Sequence, residues 1–333
     1  MTFYKVKPGR IDEAFPTSSR KASFAASHLE VRMFNVGEGE CILVAFPNGR
    51  AWIVDCGSGN FNDGDNKRLG TLLGAYLRGR GLKIEALVPT HPHIDHAGAY
   101  SSLLGAGPPL APKVWQFQGT EAWDTGANWM AALDKATDTL RAFEEVCLED
   151  SHRVFEIDDE IAVHLFAGAH ANDGYQSVWL HIRHHEAKLL LTGDVECPYE
   201  KRLMGLFGEY DFGSEFLKIT HHGSSSGTSK TFVNQVQPGL SIASTAMDDG
   251  HRLERDTLDR LGGLGQPRRV FETHVDGDII VLTDGHPYGD GILYDVDFNK
   301  DDGEFADDLG ASTASLDEVN ANRGVSASPE CDN

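Results

Sequence analysis

Residues 90–96 read THPHIDH, directly after the apolar run IEALVP at 84–89. Imidazole and carboxylate both ligate zinc and similar divalent ions. In extended chain, residues two apart project to the same side, so His91 and His93 can share one ion. Asp95 and His96 follow where the chain should turn, and can reach a second. Pro92 narrows the backbone choices of the loop and lowers the entropy lost on ordering it. The cluster stands at the C-terminal end of a predicted strand, where α/β sheets place their sites. A histidine-rich surface loop is the plain alternative, and a single histidine would favour it. Four ligands at this spacing after an apolar strand favour a metal site.

Outward from this loop the chain alternates short apolar runs with turn residues. VRMFNV (31–36), CILVAF (41–46) and AWIVDCG (51–57) are punctuated by Gly37, Gly39, Asn48 and Gly49 and read as strands joined by tight turns. A helix is predicted near 66–80, the strand IEALVPT follows, and a second helix is predicted over 121–147. Further strands are IAVHLFA (161–167), SVWLHIR (177–183), AKLLLTGD (187–194), EFLKITHHG (215–223), LSIAST (240–245), RRVFETH (268–274) and DIIVLTD (278–284). Helices are expected near 198–208, 229–236 and 256–264. Residues 1–30 lack clear periodicity and read as a lead-in. The pattern predicts two sheets packed together with helices outside.

The chain has 333 residues and a net charge of -22. From Asp284 onward 13 acidic residues face 2 basic ones, about half of the excess. Such a stretch is a solvated end or a docking segment for a protein partner, and composition favours the first. A strongly acidic chain repels polyanions at long range. That argues against nonspecific nucleic-acid coating, and less against an enzyme whose bound cations reverse the sign locally. No apolar run approaches the roughly 18 residues of a membrane span, and the first residues lack the order of a signal peptide. A cytoplasmic protein is expected, without a membrane partner. The five cysteines (Cys41, Cys56, Cys147, Cys197, Cys331) are odd in number and irregularly spaced, so reduced, mostly buried thiols are expected.

HPHIDH resembles the HxHxDH signature of the metallo-β-lactamase-fold hydrolases. The resemblance covers most of 31–285 and comes closest to the soluble hydrolase domain of ComEC-type DNA-uptake proteins. MFNVGEGECILV (33–44) is similar to their opening strand–glycine–strand element, and WIVDCGSG (52–59) to the next strand and turn. LLLTGDVE (189–196) resembles their bridging-aspartate strand. LKITHHGSSSGTS (217–229) resembles their second histidine motif, GHRLERDTLDRL (250–261) their late histidine, and VFETHVDGDIIVLTDG (270–285) their closing hairpin. The opening DVGQGD of the family reads NVGEGE here, at Asn35, Glu38 and Glu40, which changes groups that support the site.

The resemblance implies an αββα sandwich spanning 31–285, with 286–333 as an acidic segment. It implies two divalent ions, zinc or manganese. His91 and His93 would hold one, Asp95 and His96 the other, Asp194 would bridge them, and His222 and His251 would be further ligands. His170, Asn172 or Asp173 would complete the site, the last two leading into Ser177. His152, His164, His181, His184 and His185 match no motif and read as surface or strand-packing residues. The expected activity is that of a phosphodiesterase or nuclease using a hydroxide between two cations. Asp95, Asp194 and His221 would be its catalytic residues, and Lys218 or His221 would supply positive charge. Backbone N–H groups of HHGSSSGTS, ahead of a helix, would receive an anionic oxygen. The alternatives are hydrolysis of a carbon-centred ester, thioester or lactam, and a non-catalytic component of a larger system.

Overall fold

The computed structural model describes residues 2–8, 10–16, 28–37, 39–58, 63–91, 93–118, 143–147, 151–168, 177–246, 252–262, 269–299 and 331. One sheet contains β1 (Thr2–Lys7), β2 (Arg10–Pro16), β3 (Leu29–Met33), β4 (Cys41–Ala45), β5 (Arg50–Cys56), β6 (Lys83–Val88), β7 (Leu110–Gln118) and β8 (Phe143–Cys147). The other contains β9 (Ser151–Glu156), β10 (Ile161–Ala167), β11 (Trp179–His184), β12 (Ala187–Leu191), β13 (Phe216–Lys218), β14 (Leu240–Ala243) and β15 (Val270–Glu272). The chain then returns to the first sheet with β16 (Asp278–Thr283), β17 (Pro287–Tyr288) and β18 (Gly291–Asn299). The orders are β2-β1-β18-β16-β3-β4-β5-β6-β7-β8, with β17 on β18, and β15-β14-β13-β12-β11-β10-β9.

Period-two alternation explains the layering. In β5, Trp52 and Val54 face the apolar layer between the sheets, where they meet Val163, Leu165, Leu180 and Leu189. Ala51, Ile53 and Cys56 face the other way, onto Leu69, Leu73 and Leu77 of α1 (Asp63–Arg80) and onto Leu103. The second sheet does the same. Phe166, Trp179 and Leu190 turn outward onto Leu203, Phe232 and Leu258. Those residues come from the helices Cys197–Leu206, Lys230–Val236 and Arg255–Arg260. Three apolar layers between four structural layers make the expected αββα sandwich. Among the described residues no helix is long and apolar enough to cross a membrane.

The structure departs from the sequence reading in four places. Within the region read as a lead-in, Thr2–Lys7 pairs antiparallel with Gly291–Asn299, so strands continue on both sides of 31–285. Phe143–Cys147 is a strand parallel to β7 rather than the end of a helix; the open edge of β7 offers it a complete backbone ladder. The rest of the predicted 121–147 helix lies outside the described residues. Thr273–Asp276 is a helical turn where a strand was expected to continue, closed by the Asp276 carboxylate accepting the Glu272 N–H at 2.9 Å. Cys197 and Cys331 form a disulfide with Cα atoms 5.4 Å apart, whereas Cys41 and Cys56 are free and buried. Partners 134 residues apart leave no spacing signal in the sequence, since only the folded chain brings them together.

Candidate metal centre

The site forms at one end of the sandwich, where β6, β12, β13 and β14 run out. After β6 the chain passes Thr90 and His91 into the short helix α2 (Ile94–Ala97), which carries Asp95 and His96. After β12 it passes Gly193 into Asp194. After β13 it makes a 3-10 turn at His221–Gly223. His221 and His222 both adopt left-handed backbone, with φ of 47° and 53°. Two such residues in succession cost about 1–3 kcal/mol each. The turn places the His222 imidazole in the cleft. Gly57 lets the end of β5 close on the loop, since a Cβ there would lie 2.2 Å from the Asp95 carbonyl.

These segments bring together Asp95, His96, Asp194 and His222, all buried, with ligand atoms within 4.8 Å of one another. His96 Nε2 lies 3.0 Å from Asp194 Oδ2 and 3.2 Å from His222 Nε2. His222 Nε2 lies 3.3 Å from Asp194 Oδ2 and 3.7 Å from Asp95 Oδ2. On the other side, His91 Nε2 is 2.9 Å from His93 Nδ1 and 3.9 Å from Asp194 Oδ2. Asp194 therefore stands between the His91–His93 pair and the Asp95–His96–His222 group. His251, His170, Asn172, Asp173, Glu38 and Pro92 lie outside the described residues.

The ring orientations are fixed from behind. His96 Nδ1–H donates to Asp55 Oδ2 at 2.9 Å. Asp55 also accepts the Thr90 N–H and hydroxyl, each at 2.7 Å. His222 Nδ1–H donates to the Ser244 carbonyl at 3.0 Å. In both imidazoles Nε2 is left facing the cleft, as a histidine ligand requires. Asp55 was passed over in the sequence, although an ionisable residue at the end of the buried run AWIVDCG is a signal in itself. Its φ of 55° marks it again.

Burial opposes charge on His96 and His222, yet neighbouring carboxylates prevail. Asp194, with Asp55 and Asp95, holds the His96 pKa well above the usual imidazole value. Asp194, followed by Asp95, brings His222 to about 9. His91 moves the other way, held well below the usual value by burial and by the charge on His96. Burial also works against the Asp194 carboxylate, but His222 and His96 hold its pKa well below the ordinary value. Among the described residues Asp194 Oδ1 is buried without a hydrogen-bond partner. A carboxylate oxygen without a hydrogen bond and imidazole nitrogens turned toward one another are what a set of metal donors looks like. The residues fit divalent ions.

Three supporting roles differ from those expected. Lys218 is fully buried and paired with Glu40, 3.8 Å from Asp194 Oδ1. It offsets the charge of Glu40 and Asp194 from behind the site. His221 lies outside the metal-competent group. Burial holds it near a pKa of 4, so it is neutral at pH 7, and Ser226 Oγ lies 3.1 Å from its Nδ1. Several of the N–H groups expected to cradle an anion are already engaged. Thr228 N and Ser229 N donate to the Glu200 carboxylate at 2.5 and 2.9 Å, and Gly227 N donates to Ser224 O. A buried glutamate takes the place of an external anion.

Comparison with known proteins identifies the family. The chain is 25% identical over 231 residues to the uncharacterized protein YcaI of Escherichia coli K12, covering 67% of this chain and 26% of that one. It is 27% identical over 237 residues to ComE operon protein 3 of Bacillus subtilis 168, covering 67% and 29%. It is 27% identical over 217 residues to Recombination protein 2 of Haemophilus influenzae, covering 65% and 24%. The chain thus spans less than a third of the length of these relatives. Among solved structures, a metal-dependent hydrolase of the beta-lactamase superfamily aligns with a TM-score of 0.43 at 12% identity, over 81% of this chain and 99% of that one. The family model for the metallo-beta-lactamase superfamily matches residues 35–274. That span takes in every described residue of the cleft, and the chain belongs to the metallo-beta-lactamase superfamily.

Proposed function

We propose that the protein is a metal-dependent phosphodiesterase acting on nucleic acid, with two divalent ions, zinc or manganese, in the cleft. The observation that carries this reading is the convergence of buried His91, Asp95, His96, Asp194 and His222, with half-buried His93, from three distant segments on one cleft. In this reading His91 and His93 would hold one ion and Asp95, His96 and His222 the other, with Asp194 available to both. A bound pair of such ions supplies a hydroxide at neutral pH and offsets the charge that develops at phosphorus. Asp55 and Ser244 keep His96 and His222 in the tautomer that points Nε2 inward. Asp95, whose Oδ2 lies 3.5 Å from His96 Nε2 and 3.7 Å from His222 Nε2, would accept the proton of the attacking water. Lys218 and Glu40 hold Asp194 in place. The choice of phosphorus over carbon rests on the relatives, one of which is named for recombination.

The test incubates the protein, loaded with Mn2+ or Zn2+, with bis-p-nitrophenyl phosphate and single-stranded DNA, and with nitrocefin and a thioester for comparison. Phosphodiester cleavage is expected, reduced about 100-fold or more by Asp194→Asn. Absence of cleavage in protein shown to hold both metals overturns the reading. Turnover of nitrocefin or the thioester alone assigns the site to carbon-centred chemistry instead.

A further inference from the structure

Three turns meet at the end of the sandwich away from the cleft. β11 and β12 form a hairpin in register His184↔Ala187. Its open end is the metal centre, where the Asp194 N–H donates to Ser177 Oγ. Its closed end is His185–Glu186, about 25 Å away at roughly 3.3 Å per residue. His185 N–H donates to Glu160 O in the turn between β9 and β10, at 3.1 Å. Glu186 N–H donates to Gly285 O, beyond β16 in the other sheet, at 3.0 Å. Gly285 is required there, because it has a φ of 70° and a Cβ would lie 2.1 Å from His184 O. His185 has a φ of 51°, a hairpin corner at which Asn or Gly is the ordinary choice.

The side chains at this junction form a second cluster. Ligand atoms of Glu160, His184 and His185 all lie within 4.8 Å of one another. His185 Nε2 is 3.4 Å from Glu160 Oε2. The His184 and His185 rings are 5.0 Å apart, close to the 5.2 Å between His96 and His222 in the main cleft. The decisive feature is His184. Its exposure is 0%, and neither ring nitrogen has a hydrogen-bond partner. Buried polar groups in native proteins are almost always paired, and among the described residues nothing pairs this one.

We propose that Glu160, His184 and His185 form a separate cation site for a transition-metal ion of the zinc and copper class. Two imidazoles and a carboxylate favour such ions over magnesium or calcium. Burial keeps the His184 nitrogens from solvent, so a partner has to be brought to them. The carboxylates of Asp158, Glu160 and Asp284 act on the same ring and make the junction favourable to a cation. The Glu160 and His185 side chains are 55% and 22% exposed, so an ion can enter from solvent. His286, stacked 4.0 Å from the His185 ring, covers the outer side. A bound ion ties two turns of the second sheet together, against a turn of the first. None of these residues belongs to the cleft, so the site stands whether or not the protein is a phosphodiesterase.

The test counts zinc. Full-length protein is stripped with a chelator, equilibrated with Zn2+ alone and measured by mass spectrometry of the metal. The wild type is expected to bind one more zinc per chain than the Glu160→Gln/His185→Gln double variant, with equal zinc in the cleft and an equal rate on whichever substrate the protein turns over. Both replacements are at accessible turn positions and leave buried His184 in place. If the double variant does not fold, Glu160→Gln alone is expected to weaken one zinc site at least about tenfold. Equal zinc counts, or an unchanged affinity in the single variant, overturn the proposal.

Discussion

His96 and His222 face each other with Nε2 atoms 3.2 Å apart, and each is drawn toward charge by Asp194. In protein without metal, His222 keeps its proton up to a pH of about 9. A ligand must be neutral, so an incoming cation expels that proton. At pH 8 zinc binding is expected to release protons, with affinity rising with pH through about 9. Calorimetry in two buffers of different ionisation enthalpy reads the release; identical heats would contradict it. Lys218 offers a second test. It is buried between Glu40 and Asp194, and Lys218→Met leaves two buried acids uncompensated, a loss of about 3–5 kcal/mol. Adding Glu40→Gln should restore a substantial part, measured by urea unfolding. At this scale the sequence was most legible where ligands are neighbours, as in THPHIDH. The Glu40–Lys218 pair and the Asp55–His96 contact span 178 and 41 positions, and only folding makes them partners.

Among the elements, the helix Cys197–Leu206 carries Glu200, whose carboxylate caps the backbone of Thr228 and Ser229. Burial raises its pKa from 4.5 to about 7, against those hydrogen bonds. A raised acid stabilises the fold fully below pH 4.5 and loses that contribution as pH climbs through about 7. The difference amounts to about 3 kcal/mol. The stability of the wild type minus that of Glu200→Gln should therefore fall across this window, as read from urea midpoints at several pH values. A flat difference would refute the assignment. Most strands were legible because apolar runs are short and bounded by Gly and Asn. β18 was not, because Asp295 and Asp297 drew GILYDVDFN into the acidic segment. Its alternation is nevertheless real: Ile292, Tyr294 and Val296 lie in the layer between the sheets. β1 was missed because its own sequence is weakly patterned and it depends on β18 for a partner.

Across the whole molecule, the sandwich brings strand ends from both sheets to one edge, so that ligands separated by more than a hundred residues share a cleft. The net charge of -22 sets the long-range field, and buried acids such as Asp194 and Asp55 concentrate negative potential where cations belong. The central claim is that this cleft holds two ions with Asp194 between them. Anomalous diffraction at the zinc edge, from crystals grown with Zn2+, tests it most directly. Two peaks about 3.5–4 Å apart are expected, one beside His91 and His93, the other beside Asp95, His96 and His222, both in contact with Asp194. A cleft without zinc, or with a single ion that Asp194 does not touch, would contradict the account.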